Sequence, residues 1–309
     1  MDAGRHPLIE VMSNAEVVGC EGEPGDFTVQ VRKNPRFVDE EKCVACGLCV
    51  DHCPQVGGNE FDMMPSEVEL DWLAVAARNL TLAEDLGLDI FTNCSGCTAT
   101  LSESYHLLQD EELRARVNQR LARIDREYRG TSRVRHIATL VRDEVGYEAV
   151  KESVERPLEG LKVAIHYGCH LLKPSRIMQV DNPDDPQVLE RLIEALGATP
   201  VRHENWYLCC GKACDGEDIP NQMMHDLLTT VHDKEADVLG MICPTCFGQF
   251  DHGQMKIAKL FDEDFHTPPI YYFQLLAFAQ GVPYEKLGFE RQRFKPVVLQ
   301  RYEEVAAEC

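Results

Sequence analysis

Five cysteines drawn from three separated segments constrain this chain more than any other feature. They are Cys169, the adjacent pair Cys209 and Cys210 followed by Gly211, and Cys243-Pro-Thr-Cys246, spaced C-x39-CC-x32-C-x2-C. Packing gives no reason for two cysteines to stand side by side and meet a third stretch, so the fold is expected to bring all three segments onto a shared ligand. Soft thiolates select zinc, copper(I) or iron-sulfur clusters, and a tetrahedral zinc site uses one thiolate fewer than this set offers. Iron-sulfur chemistry is the first expectation.

A second run, Cys43-Val-Ala-Cys46-Gly-Leu-Cys49-Val-Asp-His-Cys53-Pro54, has the bacterial ferredoxin spacing C-x2-C-x2-C-x3-C-P, whose short steps let one loop wrap a [4Fe-4S] cubane. Such runs come in pairs in two-cluster ferredoxins, where the fourth cysteine of each serves the other cluster. Only one run is present, so either Cys53 closes its own cubane or a remote thiol such as Cys20, Cys94 or Cys97 supplies the fourth bond.

A third group, Cys94-Ser-Gly-Cys97, follows the apolar stretch Leu88-Asp89-Ile90-Phe91 and has the form of the closing C-x2-C of another five-cysteine set. No single cysteine or CC pair precedes it between Pro54 and Asn93. A cluster at Cys94 and Cys97 would therefore need ligands from the ferredoxin segment or from a partner chain. Zinc binding, pairing with a neighbouring thiol, or no ligand at all are the alternatives.

The chain has 309 residues, 44% of them apolar, enough to bury an ordinary core in two or three domains. Its net charge of −21 argues against nucleic acid as a partner, since a phosphate backbone calls for a basic face. The N-terminus lacks an apolar signal core, and no run approaches the roughly 18 apolar residues that span a bilayer. A cytoplasmic location without a membrane span is expected. There, the 14 cysteines read as reduced metal thiolates rather than disulfides.

Residues 26 to 38 alternate apolar with polar and predict a strand leading into the ferredoxin loop. Residues 66 to 87 predict a helix with Leu70, Leu73, Val75, Ala76, Leu80 and Leu82 as its apolar positions. A second helix carries Leu113, Val117, Leu121 and Ile124 and is ended by Gly130, and Ser132 caps a third carrying Ile137, Leu140 and Val141. From residue 158 strands and helices alternate. Strands over 161–166, 199–203, 238–242 and 269–272 are separated by helices over 187–196, 221–234 and 247–260, with a last helix reaching Ala279. This predicts an α/β fold with a parallel sheet, and ligands in such sheets sit at the carboxyl ends of strands, where the cysteines fall. The expected division is a ferredoxin-like segment over 1–64, a largely helical partial domain over 65–157 and a complete cysteine-rich domain over 158–309.

His166-Tyr-Gly-Cys169-His170-Leu-Leu-Lys-Pro-Ser175, Cys209-Cys210-Gly211 and Cys243-Pro-Thr-Cys246-Phe-Gly-Gln-Phe250 resemble the second cysteine-rich CCG domain of the heterodisulfide reductase B subunit. Residues 65 to 157, around Cys94-Ser-Gly-Cys97, resemble the rear part of that family's first CCG domain. Residues 6 to 63, through His6-Pro7, Asp26-Phe27-Thr-Val-Gln-Val-Arg, the Cys43 run and Asn59-Glu60-Phe61-Asp62, resemble the ferredoxin insert of the flavin-bearing A subunit. The chain departs from both patterns near Asp62 to Ser66, where half of each module is missing.

The resemblance implies a Rossmann-like CCG domain in which Cys169, Cys209, Cys210, Cys243 and Cys246 hold a noncubane [4Fe-4S] cluster. It also implies electrons arriving through a cubane at Cys43, Cys46, Cys49 and Cys53, and a disulfide of the coenzyme M and coenzyme B type as substrate, as in methanogenesis. The implied partners are the iron-sulfur C subunit together with the flavin A subunit. Lys173, Arg176 and Lys212 are candidates for anionic ends of that substrate, with solvated surface cations as the alternative. His170 is the candidate proton donor to a product thiolate, with a structural histidine as the alternative. The rival readings of the whole chain are a structural zinc-thiolate protein and a noncatalytic electron-transfer or scaffold subunit. No G-x-G-x-x-G or G-x-x-x-x-G-K-[ST] loop follows a strand, so bound flavin or ATP is not expected.

Overall fold

In a computed structural model the described residues are 15–23, 26–33, 67–212, 214 and 217–307. The ferredoxin-type run from Cys43 to Cys53 lies outside them. Ala15–Glu23 (β1) and Asp26–Lys33 (β2) form an antiparallel hairpin, paired from Ala15 with Lys33 to Glu23 with Asp26, with an irregularity between Val17 and Gly19. The expected strand is present as β2. Its partner β1, AEVVGCEGE, lacks the strict alternation that would have announced it.

Beyond the hairpin, Glu67–Leu86 (α1) buries Leu70, Leu73, Ala77 and Leu80 against Leu108, Leu113, Val117, Leu121 and Tyr128, and Ala76 is buried as well. Val75 and Leu82, expected on that stripe, are 65% and 39% exposed, because they fall out of the i, i+3, i+4 spacing set by the buried positions. Ile90–Thr92 (β3) leads to Ser95–Leu107 (α2), a helix not expected from the sequence, and Glu111–Leu121 (α3) follows, capped by Asp110 whose side chain accepts from Leu113 N at 2.7 Å. The segment after α3 turns at Asp125, in the left-handed region at φ 55°, rather than running on to Gly130.

The expected Ser132 cap is also corrected. Ser132 donates to the Leu88 carbonyl, and Val134–His136 is instead a strand (β4) parallel to β3. The helix that follows, Ile137–Leu140 (α4), starts at His136, whose Nδ1 accepts from Ala138 N. Tyr147–Glu152 (α5) then leads into the C-terminal half.

That half is built on four parallel strands, Lys162–His166 (β5), Thr199–Val201 (β6), Val238–Met241 (β7) and Pro269–Tyr271 (β8), in the spatial order β6-β5-β7-β8. Ser175–Met178 (α6) and Val188–Glu194 (α7) follow β5, and Asp218–Asp233 (α8) follows β6. Pro244–Phe261 (α9) follows β7, Tyr272–Ala279 (α10) follows β8, and Gln300–Ala307 (α11) ends the described chain. β5 and β7 are buried on nearly every residue, as central parallel strands covered on both faces must be. One core joins β5, α7 and α10 to Ala138, Val141 and Val150 of the preceding segment, and the other lies between α8, α9 and the opposite sheet face. Among the described residues no helix is long and apolar enough to cross a membrane.

The order β6-β5-β7-β8 places the reversal of winding between β5 and β7, the point where open α/β sheets bind ligands beyond the strand ends. The loops carrying Cys169 and Cys243 leave the sheet at that point.

Candidate metal centre

Cys243 is the last extended residue after β7 and the N-cap of α9, with Pro244 beginning the helix. Cys169 follows β5 after the sharp turn at Gly168, whose φ is 69°. The loop from β6 is fastened across to the β5 loop. Tyr167 N donates to the Trp206 carbonyl at 3.0 Å, the Tyr167 and Trp206 rings meet edge-on at 5.5 Å, and Lys173 Nζ lies 5.4 Å from the Tyr207 ring centroid. Buried Glu190 on α7 takes a hydrogen bond from Tyr167 Oη and a charged one from Arg202 Nε at 2.6 Å, tying both loops to one helix. These fastenings carry Cys209 and Cys210 from the sheet edge to Cys169.

The five thiols are then contiguous. Cys169 contacts Cys209, Cys209 contacts Cys210, Cys210 contacts Cys246, and Cys246 contacts Cys243. All five are free, and all but Cys169 are buried. Hydrogen bonds from Cys169 and then Cys210 hold Cys209 far below the ordinary thiol range. The bond from Cys246, aided by the backbone amides of Cys246, Thr245 and Gly96, brings Cys243 down to about 5. The donors go the other way: Cys169, Cys210 and Cys246 are pushed up, first by those same hydrogen bonds and then by burial. The site thus favours thiolate at two positions before any metal enters.

The sulfur contacts run in series from Cys169 through Cys209, Cys210 and Cys246 to Cys243. Among the described residues no group of three or more His, Cys, Asp or Glu side chains is disposed around a single ion. Five thiols in a string match a group of several irons better than one zinc, which draws four donors onto one point.

Backbone conformation at two glycines keeps room beside the sulfurs. A Cβ on Gly168 would lie 3.3 Å from Cys246 Sγ and 3.7 Å from His166 Nε2. A Cβ on Gly211, at φ 84°, would lie 2.9 Å from Pro220 Cα and O. His166 is 1% exposed, has no hydrogen-bond partner on either ring nitrogen among the described residues, and feels the Cys209 charge. An orphaned buried imidazole beside five clustered sulfurs and a glycine cradle is the environment a bulky sulfur-rich cofactor would complete. The donor set fits an iron-sulfur cluster.

Cys94 and Cys97 stand beside this centre. Cys94 caps α2, its Sγ accepting from Cys97 N at 3.3 Å, and Gly96 N donates to Cys243. Burial, first among the causes, raises Cys94 to about 11. The segment β3-α2-β4-α4 repeats the plan of β7-α9-β8-α10: a strand ends on a cysteine N-cap, and the next strand ends on a residue that starts the following helix. Those two residues, His136 and Tyr271, aim at the same atom. Tyr271 Oη donates to the Ile242 carbonyl at 3.3 Å, and His136 Nε2 faces that carbonyl without closing a full hydrogen bond. The repeat was legible in the sequence through Cys94-Ser-Gly-Cys97 as a second closing C-x2-C, but the roles of His136, Tyr271 and His166 do not stand out there. The shared T-N-C-x2-C and M-I-C-P-x-C strand ends were its signal.

His170 is exposed beside Cys169, Lys173 is partly exposed, and Arg176 and Lys212 are exposed. All four lie within a few residues of the thiols at 169 or 210. Cys214 Sγ lies 3.8 Å from Met223 Sδ.

Two further histidines give the unligated chain a pH signature. Burial lowers His136 and His203 to about 4, and His203 is satisfied as a neutral ring by Thr230 at 2.9 Å and the Ile165 carbonyl at 3.1 Å. The unfolded chain binds protons at these sites from about pH 6.5 downward while the folded chain does not, so their contribution is full above pH 6.5 and is lost as pH falls toward 4. At 1.36 kcal/mol per pH unit, each is expected to remove about 2 kcal/mol by pH 5. Denaturant midpoints of metal-free protein at pH 7 and pH 5 check this, and a H203Q variant should lose its share of the dependence.

The family model for the cysteine-rich domain named CCG matches residues 53–102 and 163–251, and that for the 4Fe-4S binding domain matches 36–56. The cysteine-rich match thus begins at Cys53, inside the ferredoxin-type run. Over 231 residues, 73% of this chain and 77% of the relative, the chain is 36% identical to the B subunit of the Ferredoxin/F(420)H(2)-dependent CoB-CoM heterodisulfide reductase of Methanosarcina acetivorans. A stretch of 62 residues, 20% of this chain, is 47% identical to an iron-sulfur A subunit of the CoB–CoM heterodisulfide reductase of Methanopyrus kandleri, but covers 10% of that relative's length. A hypothetical protein from Helicobacter pylori shares the fold at TM-score 0.60 and 16% identity, over 74% of this chain and 42% of that one. The cysteine pattern, the parallel sheet that unites it and a similarity spanning most of both chains lead to one conclusion: this chain belongs to the family of heterodisulfide reductase B subunits.

Proposed function

We propose that the chain is an iron-sulfur electron-transfer subunit of a heterodisulfide reductase-type complex, whose reaction centre is built on Cys169, Cys209, Cys210, Cys243 and Cys246. The observation that carries this reading is the unbroken string of five thiols from three loops at the sheet's switch point. A noncubane [4Fe-4S] cluster bound there would supply electrons singly to a disulfide that needs two. The Cys43, Cys46, Cys49 and Cys53 run is the proposed entry point for electrons, on a cubane, and the A-type flavin and C-type iron-sulfur subunits are the proposed partners.

The rest of the chemistry belongs to the chain's own residues. Solvent reaches the string at Cys169, its one member that is not buried, so a disulfide approaches there. His170, exposed at that mouth, is placed to give a proton to a departing thiolate. Lys173, Arg176 and Lys212 offer charge to sulfonate or phosphate ends of a substrate related to the heterodisulfide of coenzymes M and B. Cys94, beside Cys243, and Cys97 extend the sulfur surface and offer a second cofactor position, for iron-sulfur or for zinc completed by ligands from elsewhere.

A relay role without turnover has its own support: among the described residues β3 and β4 form a two-stranded sheet, against four strands in the complete centre. Iron and acid-labile sulfide are to be measured on anaerobically prepared protein, followed by electron paramagnetic resonance of the oxidised form with and without the substrate thiol. A signal that appears only with thiol supports disulfide chemistry at the centre. Iron and sulfide without such a signal leaves the relay role, and zinc without sulfide overturns both.

A further inference from the structure

His166 ends β5 three residues before Cys169, and no role for its ring follows from the thiol pattern. It is 1% exposed, its edge contact with the Phe250 ring (5.1 Å, 82°) fixes its orientation, and neither nitrogen has a partner among the described residues. Leaving a buried polar group unpaired costs about 1–3 kcal/mol, so such a ring persists where something else satisfies it. The nearby His203 shows the contrast, because both of its nitrogens are satisfied within the protein. His166 Nε2 borders the space beside Gly168 that Cys246 Sγ also borders, and the ring couples electrostatically to Cys209. One nitrogen therefore faces the volume enclosed by two of the three cysteine-bearing loops.

We infer that His166 is a positioning residue for the cluster: as a neutral imidazole it donates an N–H hydrogen bond to a sulfur of the bound group, either a bridging sulfide or the ligating Cys209 sulfur. This rests on the reading that the five thiols hold an iron-sulfur cluster. Hydrogen bonds to sulfur lower the charge density on the cluster and favour its reduced state, so His166 raises the reduction potential of this centre. The ring is sealed from solvent and does not touch substrate; its effect on turnover passes through the potential.

The test compares wild type, H166F and H166Q as full-length, cluster-loaded protein. Potentiometric titration of H166F is expected to show about a tenfold shift of the oxidised-to-reduced ratio toward oxidised at fixed solution potential, equivalent to about 59 mV for a one-electron couple. H166Q retains a donor and is expected to shift less. The readout beside the potential is the exchangeable-proton coupling seen by electron-nuclear double resonance after transfer to heavy water, present in wild type and lost in H166F. Unchanged potential and an unchanged coupling in a loaded H166F overturn the inference; if phenylalanine prevents loading, the absence of an exchangeable-proton coupling in loaded wild type overturns it. Wild type without iron and sulfide would instead overturn the underlying reading.

Discussion

A C210S chain is expected to fold and to lose the C-terminal cluster. Cys210 is 4% exposed and touches both Cys209 and Cys246, so it is the link between the CC pair and the C-x2-C loop. Serine occupies less space, and its hydroxyl is a harder ligand with a far higher pKa, so the iron site loses a thiolate it cannot replace. Changes in the hydrogen-bonding shell around metal ligands typically cost 10–100-fold in affinity, and removal of a ligand should exceed about 100-fold. Metal-free stability should change by about 1 kcal/mol or less, as a near-isosteric change in a site already lined by hydrogen-bonding sulfurs. Iron and sulfide content, the cluster signal and the denaturant midpoint separate the two effects. The control is C214S, a cysteine outside the C-x39-CC-x32-C-x2-C pattern, which should retain the signal. A C210S chain with the full complement of iron and sulfide, or a C214S chain without it, would remove the assignment of the ligands.

The cysteine pattern made the centre legible because ligand chemistry restricts sequence severely: few residue types bind soft metals, and their spacing survives in any fold that uses them. The strands of the C-terminal half were legible for a related reason. Buried parallel strands such as Lys162–His166 and Val238–Met241 are short apolar runs between helical patterns, and the structure places them within one or two residues of the expected positions. Elsewhere the local signals competed. Val134–His136 is a strand of three residues with one apolar side chain that runs straight into a helix, so between Ser132 and the stripe of Ile137, Leu140 and Val141 it read as the start of that helix. Ser95–Leu107 begins on a cysteine rather than on a customary cap residue and has no acidic residue in its first turn, so its start gave little warning. What no local pattern could give is the partnering of His166, His136 and Tyr271. Whether a buried polar group is satisfied depends on atoms far away in sequence: His203 and His166 are both buried, yet only His203 has partners among the described residues.

Replacement of Gly211 with alanine is expected to disturb the centre without touching a sulfur. At φ 84° an alanine sits in the left-handed region at a cost of about 1–2 kcal/mol. Its Cβ would also stand 2.9 Å from the Cα and carbonyl oxygen of Pro220, atoms of backbone in the first turn of α8 that cannot swing aside like a side chain. Either α8 shifts, against Met224, Leu227, Leu228 and Val231 in the core, or the loop carrying Cys209 and Cys210 retreats. The helix has the larger buried face to lose, so the loop moves, and the CC pair moves with it. Overpacking adds about 1–3 kcal/mol to the backbone strain, giving a total of roughly 2–5 kcal/mol. G87A isolates the first contribution: Gly87 has φ 65° and nothing within 4 Å of an added Cβ. Equal denaturant midpoints for G87A and G211A would show that the contact with Pro220 is relieved at no cost. A lower midpoint for G211A than for G87A, with cluster occupancy reduced in G211A alone, would show that the glycine holds the vicinal thiols at their place in the string.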